Sequence, residues 1–209
     1  MTKLPPKTIE RLSQYRRVLI EDYSPEKQHI YSHEIANIIH NTPEQVRRDL
    51  MLIGYSSTLK KGYEIKELIA YIDNILDTNE GLNVAVFGMG NLGKAITNYF
   101  LRKREKLKIV AAFDVNPDKI NRVISGVRTY HINELLKIIS EEKIAIALLT
   151  LPVEYAKEVT DQLVQAGIKG ILNYTTMPLN VPSHIFLEEY DMVTSLEKIA
   201  YYVKQSSIK

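Results

Sequence analysis

Apolar residues recur at helical spacing through the first 76 residues, and the spacing predicts four helices. The apolar positions of the first, second and fourth helices are Ile9, Leu12, Tyr15, Val18 and Leu19, then Ile35, Ile38 and Ile39, then Ile65, Leu68, Ile69, Ile72, Ile75 and Leu76. Ser32 is expected to cap the second helix. The third helix begins with Thr42 as N-cap and Pro43 at N1, and Gln45 at N3 completes a capping box.

Between the third and fourth helices, residues 55–65 predict two short strands around Lys60-Lys61-Gly62. Three helices followed by a two-stranded ribbon are typical of a winged helix–turn–helix, whose third helix enters the major groove of DNA. The DNA-binding residues predicted for this layout are Gln45, Arg47 and Arg48 on the third helix and Lys60 and Lys61 at the ribbon tip. Gln can read adenine and Arg can read guanine or hold a phosphate. Arg16-Arg17 is a further dibasic pair; a solvated helix face is the alternative for each pair.

After a polar seam at Asp77–Gly81, strand and helix patterns alternate. Five β-branched runs predict buried parallel strands: Asn83–Phe87, Lys108–Phe113, Ile144–Thr150, Lys169–Asn173 and His184–Leu187. Helices are expected near 91–104, 132–141 and 153–166, and a separate amphipathic helix over Ser195–Ser206. The pattern predicts an α/β chain with a winged-helix domain over residues 1–80, a Rossmann-type doubly wound parallel sheet domain over 81–192 and a C-terminal helix in 193–209.

The first strand of this sheet runs directly into Gly88-Met89-Gly90-Asn91-Leu92-Gly93, and a helix follows. In that context the three glycines serve a tight turn, the approach of a pyrophosphate and close helix–strand packing. Asp114 ends the next strand, where a carboxylate accepts hydrogen bonds from the ribose hydroxyls and repels a 2′-phosphate. The motif therefore predicts NAD(H) as the cofactor in preference to NADP(H).

The composition excludes several kinds of chemistry. The 209 residues include no Cys, which removes disulfides, thiolate metal sites and a cysteine nucleophile. The longest apolar run, Ile144–Leu151, is far shorter than the roughly 20 residues of a membrane span. Together with the absence of a signal peptide pattern, this predicts a cytoplasmic protein. The net charge of +2 by itself indicates no particular partner.

Catalytic residues that would accompany the cofactor are not evident. Tyr-x-x-x-Lys pairs occur at Tyr23/Lys27 and Tyr99/Lys103, but neither position suits a nicotinamide. The three histidines at 29, 33 and 40 have no metal-ligand spacing with carboxylates. We therefore expect no catalytic residue, no metal site and no enzymatic activity.

The sequence resembles the Rex family of redox-sensing transcriptional repressors over nearly its whole length. The segments that carry the resemblance are Gln45–Leu50, Gly88–Gly93, Phe113–Pro117, Leu149–Pro152 and Ala166–Asn173. The resemblance implies a homodimer with a domain-swapped final helix, which binds double-stranded operator DNA when free or bound to NAD⁺ and is released by NADH.

By position, the resemblance assigns cofactor binding to Gly88, Met89, Gly90, Asn91, Leu92, Gly93, Asp114, Thr150 and Pro152. It also places Arg17, Tyr99 and Asp191 at the interface that couples the two domains, with local packing as the alternative. The chain departs from the family pattern in the wing, Ser56–Tyr63, and at Tyr174-Thr175-Thr176. A small NAD-dependent oxidoreductase and a CoA-binding protein are the alternatives, although neither explains the winged helix.

Overall fold

A computed structural model of the chain describes residues 3–56, 61–100 and 106–206. The chain divides into two compact units, Met1–Asn79 and Glu80–Lys209. The first unit is mainly helical and the second is built on a sheet. The boundary between them falls within the polar segment Asp77–Gly81.

The first unit contains four helices and a two-stranded ribbon. Its helices are α1 (Pro6–Asp22), α2 (Ser32–Ile38), α3 (Pro43–Leu52) and α4 (Ile65–Leu76). The strands β1 (His29–Ile30) and β2 (Tyr63–Glu64) pair antiparallel, with His29 opposite Glu64. Their shared core has side chains from every helix: Leu12, Tyr15 and Leu19, Ile35, Val46 and Leu50, and Leu68 and Ile72, all essentially inaccessible to solvent. The periodicity prediction is confirmed for most of the predicted positions, but Ile9 on α1 and Ile38 on α2 are exposed.

One local prediction in this unit is wrong, and another is only partly described. The second strand predicted within 55–65 is β2, which pairs with β1 from before α2, whereas the first strand falls on residues 57–60, outside the described part of the chain. Ile30 of β1 is buried in the core of this unit. This burial places β1 beside β2, so β2 pairs with a strand from a distant part of the chain. At α2, Tyr31 occupies the N-cap position and donates its N–H to Glu34, so Ser32 is the first helical residue.

The predicted capping box of α3 is only half formed. Thr42 accepts the N–H of Gln45 at 3.2 Å, as expected of an N-cap. The Gln45 side chain does not return to the Thr42 N–H, which donates to the side chain of Asn41 instead. Gln45 instead donates its side-chain N–H to Asp49, a buried carboxylate one turn along the helix, at 3.0 Å.

The second unit is a sheet of seven strands with helices between them. The strands are β3 (Leu82–Phe87), β4 (Leu107–Asp114), β5 (Val123–Ile124), β6 (Val127–His131), β7 (Ile144–Leu149), β8 (Gly170–Asn173) and β9 (Phe186–Glu189). Their order is β5-β6-β4-β3-β7-β8-β9 and all neighbours are parallel except β5 and β6. Apart from β5, this is the doubly wound strand order, whose two halves meet between β3 and β7. The β5–β6 hairpin was not predicted, because β5 has only two residues and the polar residues of β6 interrupt any apolar run.

The helices of this unit are α5 (Asn91–Phe100), α6 (Leu135–Glu141), α7 (Val153–Gln165) and α8 (Met192–Ser206), with a 3₁₀ turn at Ile132–Glu134. Buried side chains cover both faces of the sheet. One cluster includes Phe87, Phe113 and Leu149, and the other includes Val84, Val86 and Leu148. Burial on both faces explains why these strands read as continuous apolar runs.

The helix α8 differs from the others because none of its residues is buried. Leu196, Ile199 and Val203 lie on one side of the helix, and each is more than half exposed. It begins at Met192, three residues before the predicted start, because Asp191 caps its first turn. An exposed apolar stripe of this kind is a candidate packing face.

Candidate functional site

The glycine loop connects β3 to α5, and its three glycines differ in what a Cβ atom would meet at each position. Gly88 has φ +98°, and a Cβ there would lie 2.8 Å from the backbone of Leu151. A Cβ on Gly93 would overlap the carbonyl oxygen of Gly88. At Gly90 a Cβ would meet no atom within 4 Å. Gly88 and Gly93 are therefore required by packing, whereas the space above Gly90 is open to a ligand.

The remaining residues of the loop lie in different environments. Met89 is fully buried in the core beside Thr97, so only its backbone could approach a dinucleotide. Asn91 is exposed at the first position of α5 and Leu92 is half-buried behind it. The N-terminus of α5 therefore lies next to the open space at Gly90, where its free N–H groups favour a phosphate.

Asp114 lies at the end of β4, in hydrogen-bond contact with the glycine loop. Its Oδ2 accepts the N–H of Met89 at 2.9 Å and its Oδ1 accepts the N–H of Asn116 at 2.9 Å. The ammonium group of Lys119 lies 2.8 Å from Oδ2. Burial raises the pKa of the Asp114 carboxyl, but the hydrogen bonds from Lys119 and the two N–H groups outweigh it and hold the pKa below its ordinary value. The carboxylate is thus ionised and held in place.

Thr150 and Pro152 follow β7, on the other side of the point where the two halves of the sheet meet. The Thr150 hydroxyl donates to the carbonyl oxygen of Gly88 at 2.8 Å, and Pro152 is the N-cap of α7. The carboxyl ends of β3, β4 and β7 thereby open onto one cavity of about 570 Å³. This cavity is lined by Gly88, Gly90, Phe113, Asp114, Val115, Lys119, Ile132, Asn133, Thr150, Leu151, Pro152, Tyr155, Glu158, Val159 and Gln162. Such a cleft is the usual ligand site of an open α/β sheet.

Sequence reasoning missed several residues of this cavity, Lys119 foremost. Lys119 follows Asp114 by five residues, across the Asn116-Pro117 turn, and that turn brings the ammonium group back to the carboxylate. The sequence signal that could have identified Lys119 is a basic residue a few positions after the Asp that ends a strand. Tyr155, Glu158 and Gln162 come from one side of α7, which only the packing of that helix reveals.

In the helical unit, α3 carries the predicted base-reading residues. Arg48 is exposed, and Arg47 is exposed but held by Glu44 at 2.7 Å and by the Ser32 hydroxyl at 3.0 Å. Gln45 is half-buried at the start of the helix. Lys61 is exposed in the turn before β2, and Lys60 lies outside the described residues. The structure thus brings Gln45, Arg47 and Arg48 together on one helix.

The carboxylate of Asp49 joins α3 to α1. Arg11 binds both of its oxygens, through Nε to Oδ2 at 2.5 Å and through Nη2 to Oδ1 at 2.7 Å. The Tyr15 hydroxyl donates to Oδ2 at 2.6 Å. Burial raises the pKa of the Asp49 carboxyl, but the hydrogen bonds from Arg11 and Tyr15 outweigh it and lower the pKa below its ordinary value. Sequence reasoning missed this network, whose partners are 34 to 38 residues apart.

Arg16 is not an exposed partner of Arg17, as the dibasic pair suggested. It is 6% exposed, and its guanidinium binds Asp73 at 3.0 Å and Asp77 at 3.4 Å near the end of α4. The helical period of α1 turns Arg16 toward α4, whereas Arg17 is exposed. The prediction that both residues form a basic surface is therefore wrong for Arg16.

The residues predicted to couple the domains are described within their own units. Tyr99 is exposed on α5, with its ring edge against Phe100. Asp191 accepts the backbone N–H groups of Val193 and Thr194 and the Thr194 hydroxyl, and these bonds lower its pKa. Asp191 thus has a local capping role, and its coupling role stays a prediction, as do those of Arg17 and Tyr99.

The atypical Tyr174-Thr175-Thr176 segment folds onto the end of β8. Thr175 donates its N–H and its hydroxyl to the side chain of Asn173, and the Tyr174 ring packs against Tyr190. Burial raises the pKa of Tyr174. None of these residues is among those that line the cavity.

Within residues 3–56, 61–100 and 106–206, no cluster of three His, Asp or Glu side chains could hold a metal ion. No helix in the same ranges combines the length and apolarity needed to cross a membrane.

The fold and the site together define a two-unit protein, with a helical unit of the DNA-binding kind joined to a dinucleotide-type sheet. Two family models match the chain: "Putative DNA-binding protein N-terminus" over residues 3–50 and "CoA binding domain" over residues 79–177. The chain is 40% identical to the redox-sensing transcriptional repressor Rex of Anoxybacillus flavithermus, covering 97% of this chain and 95% of the relative. It is 36% identical to that of Bacillus licheniformis, covering 100% and 97%. The chain belongs to the Rex family of redox-sensing transcriptional repressors.

Solved structures agree with this assignment. The chain is similar to RSP, a Rex-family repressor, with 30% sequence identity. For the crystal structure of RSP in complex with beta-NAD⁺ and operator DNA the TM-score is 0.91, and the match covers 100% of this chain and 96% of that one. For the complex with beta-NADH the TM-score is 0.84, with coverage of 100% and 98%.

Proposed function

We propose that this protein is a transcriptional repressor that binds operator DNA and is controlled by the cellular NADH/NAD⁺ ratio. The observation that carries the proposal is the joining, in one chain, of an exposed basic recognition helix with a dinucleotide cleft. Family membership and the RSP complexes with operator DNA, NAD⁺ and NADH support the same function.

The dinucleotide is held by the residues around the cavity. The pyrophosphate lies against Gly90 and the N-terminus of α5, where there is open space and free N–H groups attract anions. Asp114 accepts a hydrogen bond from a ribose hydroxyl through Oδ1, because Oδ2 already accepts from Met89 and Lys119, whereas Oδ1 accepts only the N–H of Asn116 among the described residues. Thr150 and Pro152 border the ligand from the far side of the cleft.

Operator DNA is bound by the helical unit. Arg48 and Arg47 contact phosphates or guanine, and Gln45 reads a base at the start of the recognition helix. Lys61, with Lys60 beside it in the sequence, contacts the DNA backbone or the minor groove. A homodimer presents two such helices to a palindromic site. The exposed apolar side of α8, with Leu196 and Ile199, supplies the dimer contact by exchange between the two copies.

DNA binding and dinucleotide binding are coupled because the DNA-competent and released arrangements of the protein have different affinities for NAD⁺ and NADH. A ligand that bound the DNA-competent and released arrangements equally would shift nothing. NADH favours the released arrangement, and by linkage operator DNA weakens the binding of NADH by the same factor. Arg17, Tyr99 and Asp191 take part in this change.

The protein acts as a regulator in the cytoplasm, where its operator lies, and not as an enzyme. Its relatives are named transcriptional repressors, which points away from an enzyme. A CoA ligand is the second candidate, because the family model over residues 79–177 carries that name. CoA has a 3′-phosphate on its ribose, which the Asp114 carboxylate disfavours.

The test is selection of bound duplexes from a random DNA pool, run in parallel with NAD⁺, NADH and CoA. We expect a palindrome in the NAD⁺ arm and its loss in the NADH arm, with CoA causing no loss. A palindrome recovered equally with NAD⁺ and NADH would contradict redox control, and its loss with CoA alone would make CoA the effector. No enrichment in any arm would exclude the repressor function.

A further inference from the structure

Gln45 lies at the start of the recognition helix, where the proposed DNA-binding function brings it to a base. Resting on that function, we propose that Arg11 and Asp49 are positioning residues that hold the side-chain amide of Gln45 for recognition of adenine in the major groove. Neither Arg11 nor Asp49 contacts the base itself. They decide which atoms Gln45 presents to it and keep those atoms in place.

The side-chain carboxylate of Asp49 accepts hydrogen bonds from several donors. Asp49 is 1% exposed, and its Oδ1 accepts from Arg11 Nη2 at 2.7 Å, from Gln45 Nε2 at 3.0 Å and from Thr8 Oγ1 at 3.4 Å. Its Oδ2 accepts from Arg11 Nε and from the Tyr15 hydroxyl. Every one of these partners donates to the carboxylate. Asp49 is thus immobilised by α1 on one side and contacts Gln45 on the other.

An ionised carboxylate can only accept hydrogen bonds. Gln45 must therefore turn its NH₂ group, and not its carbonyl oxygen, toward Asp49. One N–H is used in that bond, so one N–H and Oε1 remain. Within the described part of the chain, no residue donates a hydrogen bond to Oε1 of Gln45.

The atoms that remain match one base edge. Adenine offers an acceptor at N7 and a donor at its N6 amino group in the major groove, and an amide satisfies both with one N–H and its oxygen. Guanine offers two acceptors there, so the Gln45 oxygen would face another acceptor. The bond to Asp49 thus selects the amide orientation that fits adenine.

Arg11 makes this arrangement rigid and electrically neutral. Its guanidinium grips both oxygens of Asp49, and a planar fork of this kind fixes orientation better than a Lys ammonium group. The positive charge also offsets the carboxylate, which would otherwise repel nearby phosphates. Arg47 provides a contrast, because its partner Glu44 is 68% exposed in its side chain and can exchange with solvent or DNA.

The first experiment compares base preferences selected from a random pool in the presence of NAD⁺. Wild type is expected to require adenine at one position of each half-site. Gln45→Ala should lower that preference by about ten- to a hundredfold while the rest of the palindrome persists. Gln45→Glu, which has no N–H, should shift the same position toward cytosine.

The second experiment separates positioning from general stability. Arg11→Lys keeps the charge but loses the two-point grip, and it should weaken the adenine preference at that one position. Tyr15→Phe is the matched control, since it removes a donor to Oδ2 and leaves Arg11 and Gln45 in place. We expect Tyr15→Phe to lower the melting temperature without altering the selected sequence. For both variants, the selection of DNA duplexes is carried out below the melting temperature of the protein.

The outcomes are distinguishable. An unchanged preference in Gln45→Ala would refute the reading of adenine by Gln45. An unchanged preference in Arg11→Lys, or an equal change in Tyr15→Phe, would refute the positioning role. Failure of the wild type to enrich any palindrome would instead remove the proposed function on which this inference stands.

Discussion

The ammonium group of Lys119 lies 2.8 Å from Oδ2 of Asp114, the oxygen that also accepts the N–H of Met89. A cation therefore already lies beside the carboxylate that is expected to repel a 2′-phosphate. Preference for NAD(H) over NADP(H) then depends on the negative charge of Asp114 rather than on the lack of a basic partner.

Asp114→Asn is accordingly expected to bring NADPH and NADH to similar affinities. NADH binding should weaken about tenfold, because a hydrogen bond to a charged acceptor is lost, while NADPH gains the free Lys119 ammonium group. Fluorescence titration of the two reduced nucleotides measures the ratio. In the double variant Asp114→Asn/Lys119→Met the gain for NADPH should vanish. NADPH binding that stays as weak as in wild type would show that Lys119 does not reach the 2′ position.

Gly90 and Gly93 are expected to respond differently to the same substitution. Gly90→Ala should keep the wild-type melting temperature, since its Cβ meets no atom within 4 Å, yet weaken NADH binding by about tenfold or more. Gly93→Ala should destabilise the sheet unit by about 1–3 kcal/mol, because its Cβ would overlap the Gly88 carbonyl. Thermal unfolding and nucleotide titration of both variants provide the comparison. Equal melting temperatures for the two variants would contradict this division of roles.

The carboxylate of Asp49 is expected to make stability depend on pH. Its pKa in the folded protein is lowered, so its stabilisation is fully present above the ordinary carboxyl pKa and is lost as the pH falls through the lowered value. Asp49→Asn should cost about 2 kcal/mol near neutral pH, since the hydrogen bonds from Arg11 and Tyr15 lose a charged acceptor. This difference from wild type should shrink below about pH 4, the ordinary range of a carboxyl pKa. Denaturant unfolding of both proteins, from neutral pH down into the acid range, measures the difference in their free energies of unfolding. A difference that does not change with pH would count against an ionised Asp49.

The apolar side of α8 is expected to hold the dimer together. Leu196→Glu/Ile199→Glu places two charges on this side, and we expect it to convert the dimer into monomers. Lys198→Glu is the matched control, because it changes the charge on the polar side of the same helix. Sedimentation velocity distinguishes the two states. A double variant that remained dimeric would place the dimer contact elsewhere.

Much of the candidate site was predictable because its residues are close in sequence or follow a strand directly. Gly88, Gly93 and Asp114 could be placed from the glycine spacing and the strand patterns around it, since the carboxyl ends of parallel strands meet at one edge. The contribution of α7 to the cavity could not, because the side that a helix turns toward a ligand depends on how it packs. The pair β5 and β6 was missed for another reason, because β5 has only two residues and polar residues interrupt β6.

Arg16 and Arg17 show most clearly where the sequence stops being sufficient. By itself the sequence determined the helices, the parallel strands and the phosphate loop, because periodicity and glycine conformation are local properties of the chain. Only the tertiary structure decided that Arg16 is buried against Asp73 and Asp77, 57 and 61 residues away, while its neighbour stays exposed. It likewise decided that Gln45 is held through Asp49 by Arg11. Such polar contacts depend on which surfaces meet after folding, and no short-range pattern encodes that meeting.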